Sequence, residues 1–244
     1  MNTFTIMLAG IPIEVRCQFK RNKDFFKEYF TDEQPLFSIE PGEEDIKRMQ
    51  QDFVRLDEAS SVPIHKREDW FIENNSIHSL IAYKLVEFDV ILIHGSALCM
   101  DGNAYLFLAK SGTGKSTHSR IWREAFGEKV WMINDDKPLL RLLNNEFVVY
   151  GTPWNGKHHL SRNASAPLKA IIQLERDTVN HIDKIEKTEA FTVLMKQSYV
   201  SSDTERIMHI MEIEKKLLNA VDFYKLGCNM EKEAAIVAYN GMNS

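Results

Sequence analysis

The stretch of sequence that decides the fold is Ala109-Lys110-Ser111-Gly112-Thr113-Gly114-Lys115-Ser116. It matches the pattern in which Ala or Gly is followed by four variable residues, then Gly, Lys, and Ser or Thr. Glycines in such a loop let successive backbone N–H groups approach an anionic oxygen that a side chain would block. A helix beginning near Lys115 would point its positive end at the same anion. The stretch therefore predicts a phosphate-binding loop, or P-loop.

The P-loop pattern also predicts what its side chains do. Lys115 is expected to reach the β- and γ-phosphates of a nucleotide, and the Ser116 hydroxyl is expected to bind Mg²⁺. We therefore expect ATP and Mg²⁺ as cofactors. The residues predicted to bind the nucleotide are Lys110, Ser111, Gly112, Thr113, Gly114, Lys115, Ser116 and Thr117.

Short apolar strands and amphipathic helices surround this loop. Strands are predicted at 90–93, 97–100, 104–109, 130–133, 138–142, 146–150, 170–174, 181–185 and 221–226. Helices are predicted at 115–126, before Gly127, and at 230–239. Ser202-Asp203-Thr204-Glu205 has the form of a capping box and predicts the start of another helix. The fold class predicted from this pattern is α/β, a P-loop core with a mixed β-sheet and flanking helices.

The first part of the chain has a different pattern. Apolar runs at 4–8 and 11–17, joined at Gly10, predict a hairpin. Apolar residues at helical spacing predict one long helix over 68–88. We therefore expect a small β-rich N-terminal region over 1–61, and the core with its long leading helix over 62–244.

The second half of the predicted site is a pair of acids, Asp135 and Asp136, directly after the apolar strand. Ligands bind at the carboxyl ends of strands in open α/β sheets, so this strand would deliver both carboxylates to such an edge. Only 20 residues separate Lys115 from Asp135, enough for one helix and one strand. One carboxylate could hold Mg²⁺ while the other accepts a proton from an attacking hydroxyl.

At this point the sequence resembles a known family. His94-Gly95, the P-loop, and Asp135-Asp136 at short spacing look like the catalytic domain of HPr kinase/phosphorylase, which is related in fold to ATP-dependent phosphoenolpyruvate carboxykinase. The resemblance covers about 91–174, a third of the chain. It implies a kinase that transfers the γ-phosphate of ATP to a hydroxyl of a protein, a peptide or a small molecule.

The resemblance also implies roles for individual residues. Lys115 and Ser116 would be the nucleotide and metal residues, Asp135 the general base, and Asp136 the metal ligand. His94 would lie near the transferred phosphate. The family has a further active-site arginine, for which the nearest candidate is Arg162, with Lys157, His158 and His159 close by.

Two other functions stay open. A carboxykinase-like enzyme would act on a carboxylated substrate, but that family uses a further substrate domain for which 244 residues leave little room. A non-catalytic nucleotide-binding switch would need the metal carboxylate, but it would not need a second acid as a base.

Composition excludes some partners. Lys and Arg number 30 against 35 Asp and Glu, and a net charge of −5 does not favour nucleic acid or a polybasic membrane anchor. Three widely spaced cysteines indicate neither a disulfide framework nor a zinc site. With no apolar run long enough to span a membrane and no positively charged start typical of a signal peptide, we expect a cytoplasmic protein. A homo-oligomer is compatible with the sequence.

Overall fold

Residues 1–110, 112–199 and 203–243 are described by the computed structural model. Backbone contacts divide the chain into two units, Met1–Leu85 and Val86–Ser244. The boundary predicted from the sequence lies after residue 61 and places the long helix with the core. In the structure this helix, α3 (Asp69–Leu85), lies within the first unit and packs against the other helices there. In the described residues, no helix is both long enough and apolar enough to cross a membrane.

The first unit is built on the predicted hairpin. β1 (Asn2–Leu8) pairs antiparallel with β2 (Ile11–Cys17), and β3 (Phe37–Ile39) adds to β2 in parallel. Its other helices are α1 (Lys20–Phe25) and α2 (Glu43–Ala59). α2 is not among the predicted helices, although Ile46, Met49 and Phe53 follow helical spacing.

In the described part of the chain, the second unit holds one nine-stranded mixed sheet. Its strands are β4 (Val90–Leu92), β5 (Ser96–Met100), β6 (Asn103–Leu108), β7 (Val130–Asn134), β8 (Leu139–Leu143), β9 (Glu146–Tyr150), β10 (Ser165–Arg176), β11 (His181–Lys184) and β12 (Asp222–Cys228). Their order in the sheet is β4-β8-β9-β10-β6-β5-β7, with β12 beside β10 and β11 beside β12. The predicted mixed sheet with flanking helices is confirmed.

Helices cover both faces of this sheet. α4 (Lys115–Phe126) and α7 (Glu233–Asn243) pack on one face, where the indole of Trp122 is fully buried. α5 (Lys187–Gln197) and α6 (Thr204–Ala220) cover the other face. α4 has its predicted bounds, whereas α5 was not predicted. The Asp203 carboxylate caps α6 by accepting hydrogen bonds from two backbone N–H groups, and Ser202 of the predicted capping box lies outside the described residues.

Strand direction brings distant parts of the second unit to one edge. β6 and β7 both run antiparallel to β5, and β10 and β12 run parallel to β6. The carboxyl ends of these four strands therefore lie at the same edge as the amino end of β5. We call it the carboxyl edge. It holds His94-Gly95, the loop 109–114, and Asp135-Asp136.

Glu214 is a buried carboxylic acid on α6. The residue is fully buried, and Ser198 Oγ donates a hydrogen bond to its Oε1. Its Oε2 has no hydrogen-bond partner among the described residues. Burial raises the pKa of Glu214 above its ordinary value of 4.5, and the hydrogen bond from Ser198 offsets this only in part.

We expect Glu214→Gln to stabilise the protein in a pH-dependent way. The folded chain binds the Glu214 proton more tightly than the unfolded chain does, so ionisation costs stability as the pH rises above 4.5. The variant should melt a few degrees above wild type at about pH 8, and the difference should vanish towards about pH 4. Thermal unfolding followed by circular dichroism measures this, with exposed Glu212→Gln as the control. A variant that melts no higher than wild type at about pH 8 would contradict the expectation.

Candidate functional site

The loop 109–114 connects the end of β6 to the start of α4. Gly112 and Gly114 have φ angles of +77° and +128°, which side-chain-bearing residues rarely adopt, so the loop requires glycine at both positions. Lys115 Nζ donates a hydrogen bond to the Ala109 carbonyl oxygen at 3.0 Å, across the loop. Ser111, one of the predicted nucleotide residues, lies outside the described residues.

Arg176, at the end of β10, holds this loop from the outside. Its Nη2 donates to the Gly112 carbonyl oxygen at 2.5 Å, and its Nε donates to the Thr113 carbonyl oxygen at 3.2 Å. A guanidinium that binds two carbonyls restrains the loop and adds a positive charge beside it. Arg176 could not be identified from the sequence, because it lies 63 residues beyond Thr113 and no motif marks it.

Asn134, the last residue of β7, organises the acid pair. It is fully buried, and its Oδ1 accepts hydrogen bonds from the backbone N–H groups of Asp136 and Lys137, at 2.8 and 2.6 Å. These bonds form an Asx turn, which bends the chain out of the strand. Its Nδ2 donates to the Thr152 carbonyl and hydroxyl oxygens and to the Trp154 carbonyl oxygen. The Asn134 amide therefore connects the turn that carries Asp136 to the segment 152–156.

Asp135 faces that segment. Its Oδ1 accepts a hydrogen bond from the Gly156 N–H at 2.6 Å. Its Oδ2 is buried and has no hydrogen-bond partner in the described part of the chain. A Cβ at position 156 would lie only 3.1 Å from Oδ2, so glycine gives this carboxylate its space. The second oxygen can therefore accept a hydrogen bond or a proton from a ligand.

Asp136 pairs with His94. His94 Nε2 lies 3.3 Å from Asp136 Oδ1, and the Gly95 N–H donates to the Asp136 carbonyl oxygen at 3.0 Å. Burial acts to raise the pKa of Asp136. The hydrogen bond from His94, together with the charges of Lys137, His94 and Lys115, outweighs that effect, and the pKa lies below its ordinary value. Asp136 is therefore ionised at neutral pH.

Lys115 shares the electrostatic environment of Asp136. Burial lowers the pKa of Lys115, and the Asp136 carboxylate opposes this shift. A buried pair of hydroxyls also links the two sides of the site, since Ser96 Oγ and Ser119 Oγ lie 2.7 Å apart, between β5 and α4. Ser119 Oγ in turn donates to the Lys115 carbonyl oxygen at 3.0 Å. These contacts bring together the start of β5 and the first turns of α4.

The remaining residues predicted for the site are Arg162 and its neighbours Lys157, His158 and His159. The Arg162 N–H donates to the Ile133 carbonyl oxygen at 3.0 Å, and its guanidinium lies 5.5 Å from the centre of the Trp131 ring. Arg162 is thus attached to the strand that carries the acids, but the side-chain contact observed is with Trp131. Lys157, His158 and His159 are exposed. Their roles, like those of all the predicted site residues, stay predictions.

Asp136 and Ser116 are suitable ligands for a magnesium ion. Mg²⁺ prefers oxygen ligands, keeps several waters, and is commonly bound by one or two protein groups plus phosphate oxygens. Asp136 supplies an ionised carboxylate at the carboxyl edge, and Ser116 supplies a hydroxyl in the first turn of α4. This donor set fits Mg²⁺ bound together with a nucleotide.

Among the described residues, two cavities border the loop. The first, of about 690 Å³, lies on the face of α4 and reaches the ends of β10 and β12; we call it the α4 cavity. The second, of about 530 Å³, is lined by the loop, the end of β10 and the last residues of α5; we call it the α5 cavity. The α4 cavity has the apolar side chains of Ile121, Leu174 and Met230 in its walls.

No model of a known protein family matches the chain, and no curated protein matches it in sequence. Among solved structures, the chain is similar to the Hpr(Ser) kinase/phosphatase from Coxiella burnetii, with a TM-score of 0.34 and 12% sequence identity. The match covers 62% of this chain and 95% of that chain.

The role of Asn134 is open to a direct test with Asn134→Asp. This substitution keeps the size of the side chain and its acceptor oxygen, but it replaces the donor to three oxygens with another acceptor. Because buried polar groups then lose their partners, we expect a loss of about 2 kcal/mol or more in the free energy of unfolding, measured by urea denaturation. The control is Asn145→Asp on the exposed turn between β8 and β9, which should change the free energy by less than about 0.5 kcal/mol. Equal losses in the two variants would contradict this role.

Proposed function

We propose that the protein is an ATP- and Mg²⁺-dependent phosphotransferase that moves the γ-phosphate of ATP to a hydroxyl group. The observation that carries the proposal is the meeting of two parts at the carboxyl edge. One part is the glycine loop with Lys115 at the start of α4, and the other is the acid pair after β7. A switch would need the loop and one acid, whereas Asp135, with one oxygen without a partner in the described residues, suits a base.

The nucleotide phosphates would lie on the loop. The N-terminus of α4 and Lys115 supply positive charge, and Arg176 keeps the loop in place by binding two of its carbonyls. Mg²⁺ would be held by Ser116 and Asp136, with His94 orienting Asp136 through its hydrogen bond, and when bound it would neutralise charge on the β- and γ-phosphates.

The nucleobase of ATP would lie in the α4 cavity. This cavity lies towards β10 and β12, on the side of the loop away from β7 and its acids. The wall that α4 forms is uncharged, because burial lowers the pKa of His118 to about 3 and its Nε2 accepts a hydrogen bond from the Trp122 indole N–H. The charged residues of the lining are at the end of β10 and directly after it, at 175–177. An uncharged, partly apolar wall of this kind suits an aromatic nucleobase.

In the transfer step, an acceptor hydroxyl would attack the γ-phosphorus. A new O–P bond forms, the bond to the β–γ bridging oxygen breaks, and ADP leaves. The hydroxyl proton passes to Asp135, whose Oδ2 is available for it. Arg162 is proposed to add positive charge near the transferred phosphate. A cytoplasmic location and a homo-oligomer stay predictions.

Asp135→Asn tests the proposed base. We expect transfer of label from γ-labelled ATP with Mg²⁺ to acceptors in a cell extract to fall by about 100-fold or more, because an amide cannot accept the proton. The affinity for Mg·ATP, measured by calorimetry, should change little. The matched control is Asp183→Asn, an exposed acid on β11 that should label acceptors like wild type.

Three outcomes of these measurements would distinguish the proposed kinase from the switch and from the carboxykinase-like enzyme. Equal labelling by Asp135→Asn and wild type would contradict the role of the base. Binding of Mg·ATP without transfer or hydrolysis in the wild-type protein would favour the switch. Phosphate transfer between a nucleotide and a carboxylated substrate in place of a hydroxyl would favour the carboxykinase-like function.

A further inference from the structure

The α5 cavity is lined by more positive than negative side chains. Lys110, Arg176 and Lys196 line it, against one acid, Glu175. Glu175 also lies 3.7 Å from Lys225 Nζ, which reduces its effect on the cavity. In a chain of net charge −5, this is a local surplus of positive charge next to the P-loop.

The same cavity carries two amide oxygens without partners. Gln173 and Gln197 line it, and the Oε1 atom of each is buried with no hydrogen-bond partner among the described residues. For Gln173 the other amide atom is accounted for, because its Nε2 donates to Glu175 Oε1 at 3.1 Å. Buried acceptors without partners are uncommon, and a ligand that brings N–H groups would satisfy them.

Backbone hydrogen bonds connect the α5 cavity to the acid pair. The His94 N–H donates to the Gln197 carbonyl oxygen at 2.8 Å, at the end of α5. His94 is also the residue that pairs with Asp136. The Tyr199 N–H donates to the Leu92 carbonyl oxygen at 3.0 Å, which fixes the chain after α5 to the last residue of β4. At Gln197 the wall of the cavity therefore contacts His94, which in turn pairs with Asp136.

We propose that the α5 cavity binds the phosphate acceptor, and that this acceptor is an acidic peptide segment carrying a serine or threonine. The inference rests on the proposed phosphotransferase function, and it names the class of acceptor. Lys196 would pair with a carboxylate of the peptide, and Gln173 and Gln197 would accept hydrogen bonds from its backbone N–H groups. The hydroxyl oxygen forms the new bond to the γ-phosphorus, its proton passes to Asp135, and ADP is the leaving group.

The test uses three serine-containing peptide mixtures of equal length, with acidic, amide or lysine residues on both sides of the serine. Each mixture is incubated with the full chain, Mg²⁺ and γ-labelled ATP. We expect the acidic mixture to be labelled about 10-fold more than the amide mixture, the ratio that one charge-assisted hydrogen bond can give. The lysine mixture should be labelled least.

Lys196→Glu provides the matched variant, and exposed Lys216→Glu on α6 is its control. Lys196→Glu should remove the preference for the acidic mixture and leave the affinity for Mg·ATP unchanged, whereas Lys216→Glu should behave like wild type. Three results would overturn the proposal: no preference in the wild-type protein, a preference that survives Lys196→Glu, or no labelled peptide while Mg·ATP still binds. Failure to bind Mg·ATP at all would instead overturn the proposed function on which this inference rests.

Discussion

The geometry of the site depends on the buried amide of Asn134. Its oxygen accepts hydrogen bonds from the turn that carries Asp136, and its nitrogen donates to the segment 152–154 that leads to Gly156. Gly156 then donates to Asp135. The Asn134 side chain thus positions Asp136 directly, and it positions Asp135 through the segment that leads to Gly156. A buried, satisfied polar network of this kind is costly to distort, which gives the acid pair one arrangement.

Strand direction supplies the second constraint. Because β5 runs antiparallel between β6 and β7, its first residues lie at the edge where both neighbours end. This arrangement allows His94 to reach Asp136 although 42 residues separate them in the chain. Local positive charge at this edge explains how an acidic chain could bind an anionic nucleotide. The positive charge is local, from the start of α4, Lys115 and Arg176, and does not come from the net charge.

The sequence was sufficient to predict the elements with strong local signals. The hairpin of the first unit, α4 and the strand before the acids are all present, because turn glycines, apolar alternation and helical spacing act within a few residues. α5 was missed, since Thr188, Thr192 and Val193 weaken its helical signal. Arg176 and Gln197 could not be assigned to the site, because only the tertiary fold brings them to the loop. Asn134 did leave a signal, a polar residue that closes an apolar strand directly before two acids.

Calorimetric titration of Mg·ATP into the wild-type protein and Lys115→Ala is the most direct test of the central claim, that the carboxyl edge binds nucleotide phosphates at 109–116. Lys129→Ala, an exposed lysine just beyond the other end of α4, is the matched control. The account predicts that wild type and the control bind Mg·ATP alike, and that Lys115→Ala binds it roughly 10- to 100-fold more weakly, since it loses one charge-assisted hydrogen bond. Equal affinity in wild type and Lys115→Ala, or no binding by wild type, would contradict it.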